Sequence, residues 1–167
     1  YKKYFEKTVV ADFVSEYSKG RTPNPCVRCN EFIKFDSFLK KAVALEADYV
    51  ATGHYARIKK NGNYELLRAH DTTKDQSYVL YVMNQHQLAH SLLPLGDLDK
   101  TDTRQKAREL GLPVAEKKDS QEICFVGDGK YSNFLSRYGI STKKSGPILN
   151  SNGDSLGTHE GIVNYTI

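Results

Sequence analysis

The chain has 167 residues, of which 39% are hydrophobic and 26% are charged, so it can form one globular domain or two small ones and is not disordered. No apolar run approaches the roughly 20 residues that a membrane-spanning helix needs. The net charge of +4, from 24 Lys and Arg against 20 Asp and Glu, permits nucleic-acid binding without predicting it. Three cysteines are too few for a secreted disulfide scaffold, so we expect a reducing compartment, the cytoplasm.

The first predicted element is an amphipathic helix near the start of the chain. Apolar residues recur at helical spacing from Phe5 to Tyr17. Gly20 follows at a position where a helix end favours a left-handed residue. The pattern is that of a helix that buries one face.

A stiff loop and a second helix are predicted next. Residues 22–30 are expected to be neither helix nor central strand, because Pro23 and Pro25 lack backbone donors and restrict the residues before them. Asp36 is then expected to cap a helix with apolar residues on one face.

A short buried strand and a hairpin come after these helices. The apolar run 49–52 after a helix is the α/β pattern, and Gly53 at its end lies where open parallel sheets bind ligands. Residues 55–59 and 64–69 flank an Asn-Gly pair at 61–62, which predicts a β-hairpin.

Two more helices and a second hairpin are predicted in the remaining chain. The helices are expected at 101–110, with glycine and proline stop signals behind it, and at 131–138, where aromatic residues recur at helical spacing. Residues 147–149 and Leu156 flank the Asn-Gly pair at 152–153, which predicts a β-hairpin, and Ile162, Val163 and Tyr165 are expected to continue the strand pattern.

The three cysteines allow several kinds of chemistry. Cys26 and Cys29 form half of a zinc site, but no second closely spaced Cys or His pair follows, and His86 and His90 fit a solvated helix face better. Together with Cys124 the pair could also hold an iron–sulfur cluster, which the spacing allows without requiring. A thioredoxin-like pair ranks low because no strand precedes it.

The remaining chemistry uses the thiols as nucleophile and sulfur carrier. Arg28 next to Cys29 is expected to lower the pKa of that thiol and so to favour the thiolate. Lysines before Cys124 could act in the same way. Because the neighbours of Cys124 are apolar, a buried and inert cysteine is an equal alternative there.

An ordered set of motifs resembles the tRNA-specific 2-thiouridylase family. In chain order the motifs are Gly20 to Pro25, Cys29-Asn30, Ile33-Lys34-Phe35, Ala51 to Tyr55, Lys74 to Tyr78, Asp119-Ser120, Ile123-Cys124-Phe125 and Gly157-x-His159-x-Gly161. They span nearly the whole chain from about Gly20. A Cys-x-x-Cys pair alone would not support this resemblance, whereas the order of the whole set does.

The resemblance implies an ATP-dependent enzyme, with Mg²⁺, that replaces the 2-oxygen of the wobble uridine of tRNA with sulfur. ATP would adenylate the oxygen, and a persulfide on Cys124, loaded by a sulfur-carrier protein, would attack C2. Cys29 would be the second catalytic thiol and would form a disulfide with Cys124 that releases the product.

The resemblance also implies binding residues. Those expected around the flipped target base are Asn24, Pro25 and Cys26. Gly53 is expected to contact ATP. Those expected to contact tRNA are His54, Lys74, Asp75 and Gln76.

The chain departs from the family pattern in two places. Many members have Asp where this chain has Cys26, which raises an alternative in which Cys26, Cys29 and Cys124 ligate a [4Fe–4S] cluster. The phosphate-binding loop of the family is absent and would precede Tyr1, so we expect a fragment that is inactive by itself. A further alternative is a metal-binding RNA-recognition module without chemistry of its own.

The predicted fold class is α/β. Residues 1–90 are expected to form the later part of a Rossmann-like nucleotide domain with a pyrophosphatase loop. Residues 91–142 are expected to form a small helical domain, and 143–167 to begin a β-barrel.

Overall fold

The computed structural model describes residues 1–117, 122–127 and 131–166. The chain forms two compact units. We call Tyr1–Pro25 with Ser120–Ile167 the terminal unit, and Cys26–Asp119 the central unit. The predicted division into domains at 1–90, 91–142 and 143–167 stays a prediction.

Seven short α-helices and two π-helical stretches account for the helical residues of the described chain, together with two 3-10 turns. The α-helices are α1 Lys2–Phe5, α2 Ala11–Ser18, α3 Pro25–Arg28, α4 Leu39–Ala44, α5 Gln85–Ala89, α6 Lys100–Glu109 and α7 Tyr131–Ser136. The π-helical stretches are Glu6–Val10 and Cys29–Phe38, and the 3-10 turns are Ser77–Val79 and Ile162–Asn164. Each π-helical stretch continues one α-helix into the next, so residues 2–18 and 25–44 are two continuous helical segments. None of the described helices is long and apolar enough to cross a membrane.

The described strands pair two by two. Their bounds are β1 Val50–Ala51, β2 Ala56–Asn61, β3 Asn63–Arg68, β4 Ser91–Leu92, β5 Gly146–Leu149 and β6 Ser155–His159. β1 and β4 are parallel, whereas β2 pairs with β3 and β5 with β6 in antiparallel hairpins. A single glycine, Gly62, turns the first hairpin at φ +70°, a backbone conformation that favours glycine.

The core of the terminal unit is built on aromatic side chains. Phe13 is fully buried, and its ring centroid lies 4.9 Å from that of Tyr17, 5.3 Å from that of Phe125 and 6.0 Å from that of Phe134. The rings meet edge to face, the geometry that aromatic quadrupoles prefer. The segment with Phe125 is therefore held on the predicted first helix.

The core of the central unit joins the second helical segment to the first hairpin. Its buried members are Phe35, Ala56, Val79, Leu80, Met83 and Leu88. Gly96 passes so close to β2 that a Cβ there would lie 1.9 Å from the carbonyl oxygen of Ala56. The β1–β4 pair lies in this unit, so the loop after β1 starts from a fixed strand end.

Three sequence predictions are wrong. The chain from Pro25 onward is helical instead of a loop, because proline is well suited to the first helical position, where its missing N–H costs nothing. For the same reason Asp36 lies inside a helical segment and caps nothing. The hairpin around the Asn-Gly pair at 152–153 is confirmed by β5 and β6, whereas residues 162–164, expected to continue the strand pattern, form a 3-10 turn.

Candidate functional site

Cys26 and Cys29 lie in the first two turns of the segment that starts at Pro25. Cys26 is exposed in α3, and Cys29 is half-buried at the start of the π-helical stretch. Arg28 Nη1 donates to Glu31 Oε2 at 2.8 Å, an ion pair between residues three apart on the helix. The predicted effect of Arg28 on the pKa of Cys29 stays a prediction.

Asn30 anchors this helix beside Cys29. Its side chain is 1% exposed, and Nδ2 donates to the carbonyl oxygen of Val79 at 2.8 Å, across 49 residues of sequence. Asn30 Oδ1 is buried without a hydrogen-bond partner among the described residues. This buried hydrogen bond joins the helical turn of Cys29 and Asn30 to the 3-10 turn Ser77–Val79.

Cys124 is exposed in the terminal unit. Its neighbours Ile123 and Phe125 pack against the core cluster of that unit, and the Val126 N–H donates to the carbonyl of Ile123 at 2.9 Å. The turn thus packs its half-buried apolar neighbours against the core and leaves the thiol at the surface. The alternative of a buried, inert Cys124 is therefore wrong.

The motif Asp119-Ser120 lies outside the described residues. Cys124 belongs to the terminal unit, whereas Cys26 and Cys29 belong to the central unit. The predicted pairing of Cys29 with Cys124 stays a prediction. Among the described residues, no group of three or more His, Cys, Asp or Glu side chains could hold a metal ion.

Gly53 and His54 lie in the loop that follows β1. Gly53 is exposed, and a Cβ there would meet only Leu95 Cδ1, at 3.6 Å. His54 is 9% exposed. Its Nδ1 lies 2.8 Å from Thr52 Oγ1, and its Nε2 lies 3.3 Å from Lys34 Nζ.

These contacts define the protonation state of His54. A lysine ammonium only donates hydrogen bonds, so His54 Nε2 accepts one from Lys34. The ring proton is then on Nδ1, which donates to Thr52 Oγ1, and the imidazole is neutral. Burial and the charge of Lys34 lower the pKa of His54 to about 4, in agreement with this assignment.

The side chain of Gln76 ties its loop to the segment after His54. The Tyr55 N–H donates to Gln76 Oε1 at 3.0 Å, and the Gln76 N–H donates to the Tyr55 carbonyl at 2.7 Å. The structure thus joins the segment that follows His54 to the loop that contains Gln76 through two hydrogen bonds. His54 and Gln76 are two of the residues predicted to contact RNA.

Asp75 also bonds within the protein. Asp75 Oδ1 accepts from the Ala69 N–H at 2.9 Å, and Oδ2 accepts from the Ser77 hydroxyl at 2.8 Å. Burial raises the pKa of the Asp75 carboxyl, but the hydrogen bonds from Ala69 and Ser77 lower it by more. Lys74 is half-buried in the same loop, where its N–H donates to the carbonyl of Asp71. Asp75 and Gln76 therefore hold the loop in place through hydrogen bonds to neighbouring segments. Lys74 gives the same loop a positive charge.

Asn24 and Pro25 lie at the start of the thiol-bearing helix. Asn24 is exposed immediately before α3, and Pro25 is buried as its first residue. Lys34 and Thr52 carry no predicted role. Lys34 occurs in the Ile33-Lys34-Phe35 motif, but its contact with His54 joins residues 20 apart in sequence, which no local pattern indicates.

The chain matches a known protein family over most of its length. The family described as tRNA methyl transferase HUP domain matches residues 1–128. The chain belongs to this family. The HUP domain is Rossmann-like, so the predicted α/β class is confirmed.

Curated relatives cover nearly all of the chain. The chain is 49% identical over 168 residues to the tRNA-specific 2-thiouridylase MnmA of Halothermothrix orenii, which covers 99% of the chain and 47% of that relative. It is 51% identical over 166 residues to that of Moorella thermoacetica, covering 98% of the chain and 46% of the relative. The resemblance to the tRNA-specific 2-thiouridylases is confirmed, and the chain spans about half the length of these curated relatives.

Proposed function

We propose that this chain belongs to an enzyme that replaces the 2-oxygen of a tRNA wobble uridine with sulfur, at the expense of ATP and in the cytoplasm. The observation that carries the proposal is the exposed thiol of Cys124, held on a turn whose half-buried apolar neighbours pack against the core. An exposed thiol on a fixed turn can be loaded with sulfur by a carrier protein and can then reach a substrate. The name of the curated relatives, tRNA-specific 2-thiouridylase, supports the same reaction.

The first step activates the base. The uracil oxygen at C2 attacks the α-phosphate of ATP, a substrate of the reaction that binds with Mg²⁺, and pyrophosphate leaves. C2 then carries an adenylate, which is a far better leaving group than the original oxygen. We assign the nucleotide contact to Gly53, because an exposed glycine, which has no side chain, lets a ligand approach the backbone.

The second step transfers the sulfur. The terminal sulfur of a Cys124 persulfide attacks C2, and AMP leaves with the original oxygen. The Cys29 thiolate then attacks the Sγ of Cys124, which breaks the sulfur–sulfur bond to the base and releases the thiolated uridine. The two thiols are oxidised to a Cys29–Cys124 disulfide, and a thiol reductant restores them.

The target uridine must leave its stack to reach these thiols. We assign the base pocket to Asn24, Pro25 and Cys26, at the start of the helix that bears Cys29. The loop with Lys74, Asp75 and Gln76 is proposed to contact tRNA together with the His54 segment to which Gln76 is bonded. Pro25 is buried and Cys26 is exposed, so of these two residues Cys26 is the one whose side chain a base can reach.

Cys26 supports a second mechanism, because a third thiol lies within the same helical segment as Cys29. In that alternative Cys26, Cys29 and Cys124 ligate a [4Fe–4S] cluster. The described residues contain no ready-made three-ligand group, so we derive no step through a cluster. Anaerobic purification followed by iron and sulfide analysis separates the two mechanisms, since a colourless, iron-free and active protein requires the persulfide.

The experiment that tests the proposal measures thiolation of tRNA by the full-length protein and its cysteine variants. Cys124→Ala is expected to abolish thiolation, whereas Cys29→Ala is expected to leave the base linked to Cys124 through a disulfide that an added thiol reductant cleaves. Cys26→Asp, which restores the residue of many family members, is the control and is expected to retain thiolation. Undiminished thiolation by Cys124→Ala would refute the persulfide mechanism.

A further inference from the structure

Lys34 is a half-buried cation whose side chain has one hydrogen-bond partner in the described part of the chain, His54. Its Nζ lies 3.3 Å from His54 Nε2, and in the part of the chain that the structure describes no carboxylate lies within ion-pair distance of it. An ammonium group has three donor hydrogens, so the contact with His54 leaves two of them available. A positive charge that is partly removed from water is stabilised by an anion, whereas the partner of Lys34 among the described residues is a neutral imidazole.

The two ring nitrogens of His54 both have hydrogen-bond partners within the protein. Its Nε2 accepts from Lys34 and its Nδ1 donates to Thr52, so both ring nitrogens are already used within the protein. The ring is 9% exposed, and its centroid lies 6.0 Å from that of Phe35, a core residue. His54 is therefore a fixed acceptor that orients the ammonium of Lys34.

The position of Lys34 brings this charge next to the proposed site. It lies on the π-helical stretch Cys29–Phe38, five residues after Cys29, and it contacts the loop that contains Gly53. π-helical segments are rare and recur at functional sites. Lys34 therefore lies on the helical segment that bears a proposed catalytic thiol, and its ammonium group contacts the loop proposed to bind the nucleotide.

We propose that Lys34 binds a phosphate oxyanion of the substrate complex and that His54 is the positioning residue that orients it. The inference rests on the proposed function, in which both ATP and the tRNA backbone present phosphate oxygens. A charge-assisted hydrogen bond from an ammonium to a phosphate is stronger than a neutral one, which suits a residue that must hold a substrate in place.

The test measures binding to the full-length protein without turnover. The variants are Lys34→Gln, which removes the charge, Lys34→Arg, which keeps it, and the control Lys41→Gln, which removes the charge of an exposed lysine on α4. The probes are ATP, adenosine and tRNA. Lys34→Gln is expected to weaken binding of ATP or of tRNA about tenfold, the effect of one charge-assisted hydrogen bond. Lys34→Arg is expected to retain most of the affinity, and Lys41→Gln all of it.

The probes distinguish the two sources of phosphate. If Lys34 contacts ATP, Lys34→Gln lowers the affinity for ATP and leaves the affinity for adenosine unchanged. If Lys34 contacts the RNA backbone, the variant lowers the affinity for tRNA and reduces the slope of log affinity against log salt concentration by about one. Unchanged binding of both ATP and tRNA overturns the inference. Failure of the wild-type protein to thiolate tRNA would overturn the proposed function instead, because these binding measurements need no turnover.

A double-mutant cycle tests the positioning role of His54. His54→Leu removes the acceptor, whereas His54→Gln keeps one in its amide oxygen. We expect His54→Leu to weaken binding of the same probe that Lys34→Gln affects, and His54→Gln to bind that probe almost as tightly as the wild type. The double variant Lys34→Gln/His54→Leu is expected to bind it no more weakly than Lys34→Gln alone. Additive losses in the double variant, with all variants folded by circular dichroism, would contradict the assignment.

Discussion

Acidification is expected to destabilise the folded chain through His54, before most carboxylates titrate. In the folded state burial and the charge of Lys34 lower the pKa of His54 to about 4, whereas its ordinary value is 6.5. The unfolded chain therefore binds a proton at His54 over a pH range in which the folded chain does not. The stability that comes from the neutral ring is fully present above the unfolded pKa and is lost as the pH falls from about 6.5 through about 4.

The size of this effect follows from the two pKa values. Each unit of pKa difference corresponds to about 1.4 kcal/mol, so the span from 6.5 to about 4 amounts to about 3 kcal/mol of unfolding free energy. Lowering the pH past both values costs the wild type that amount in addition to any loss from carboxylates. His54→Gln keeps an acceptor for Lys34 but has no titrating ring, so it lacks the loss.

The assay is urea unfolding of the wild type and of His54→Gln at a series of pH values. The difference between the two unfolding free energies is the measured quantity, because carboxylates such as Asp71 and Asp75 titrate alike in both proteins. We expect the difference to change by about 3 kcal/mol, in favour of the variant at low pH. Parallel pH profiles, or a His54 ring that titrates near 6.5 by NMR, would refute the neutral, Lys34-bonded assignment.

Three further substitutions probe the scaffold of the site, each measured by urea unfolding. Asn30→Ala removes the donor to the Val79 carbonyl and is expected to lower the unfolding free energy by about 1 to 2 kcal/mol. The loss is limited because the substitution also removes Asn30 Oδ1, which is buried without a partner among the described residues. Gly96→Ala places a Cβ 1.9 Å from the carbonyl oxygen of Ala56 and is expected to cost about 3 kcal/mol, the upper range for overpacking. Gln76→Ala leaves one half-buried backbone N–H without its acceptor and is expected to cost about 1 kcal/mol.

Matched controls separate these effects from the substitution itself. Asn63→Ala changes an exposed asparagine of the first hairpin, and Gly127→Ala adds a Cβ with no atom within 4 Å. Both are expected to change stability by less than about 0.5 kcal/mol. If Asn30→Ala lowers the unfolding free energy no more than its control does, the hydrogen bond to Val79 does not stabilise the fold. If Gly96→Ala lowers it no more than its control does, the close approach of Gly96 to Ala56 does not require a glycine.

Local patterns predict much of the fold. The apolar period from Phe5 to Tyr17 corresponds to a helical segment, and the Asn-Gly pair at 61–62 does turn a hairpin. The failed predictions also have local causes. Pro25 predicts a break in the chain's helical structure, although proline also suits the first helical position. Ile162 and Val163 fit a strand as well as a 3-10 turn, in which Val163 is buried.

The arrangement of the site depends on contacts that no local pattern contains. Asn30 meets Val79 across 49 residues, and Lys34 meets His54 across 20. A motif names such residues without saying which side chain touches which. The hydrogen bonds place His54 beside Lys34 and Gln76 beside Tyr55, and the predicted tRNA contacts of His54 and Gln76 stay predictions.

The proposed reaction is tested by the mass of the nucleosides released from tRNA after incubation with the full-length protein, ATP and a persulfide donor. We expect that one uridine oxygen is exchanged for sulfur, and that the exchange requires ATP and the thiol of Cys124. A nucleoside that instead gains a methyl group, or thiolation that persists in Cys124→Ala, would contradict it.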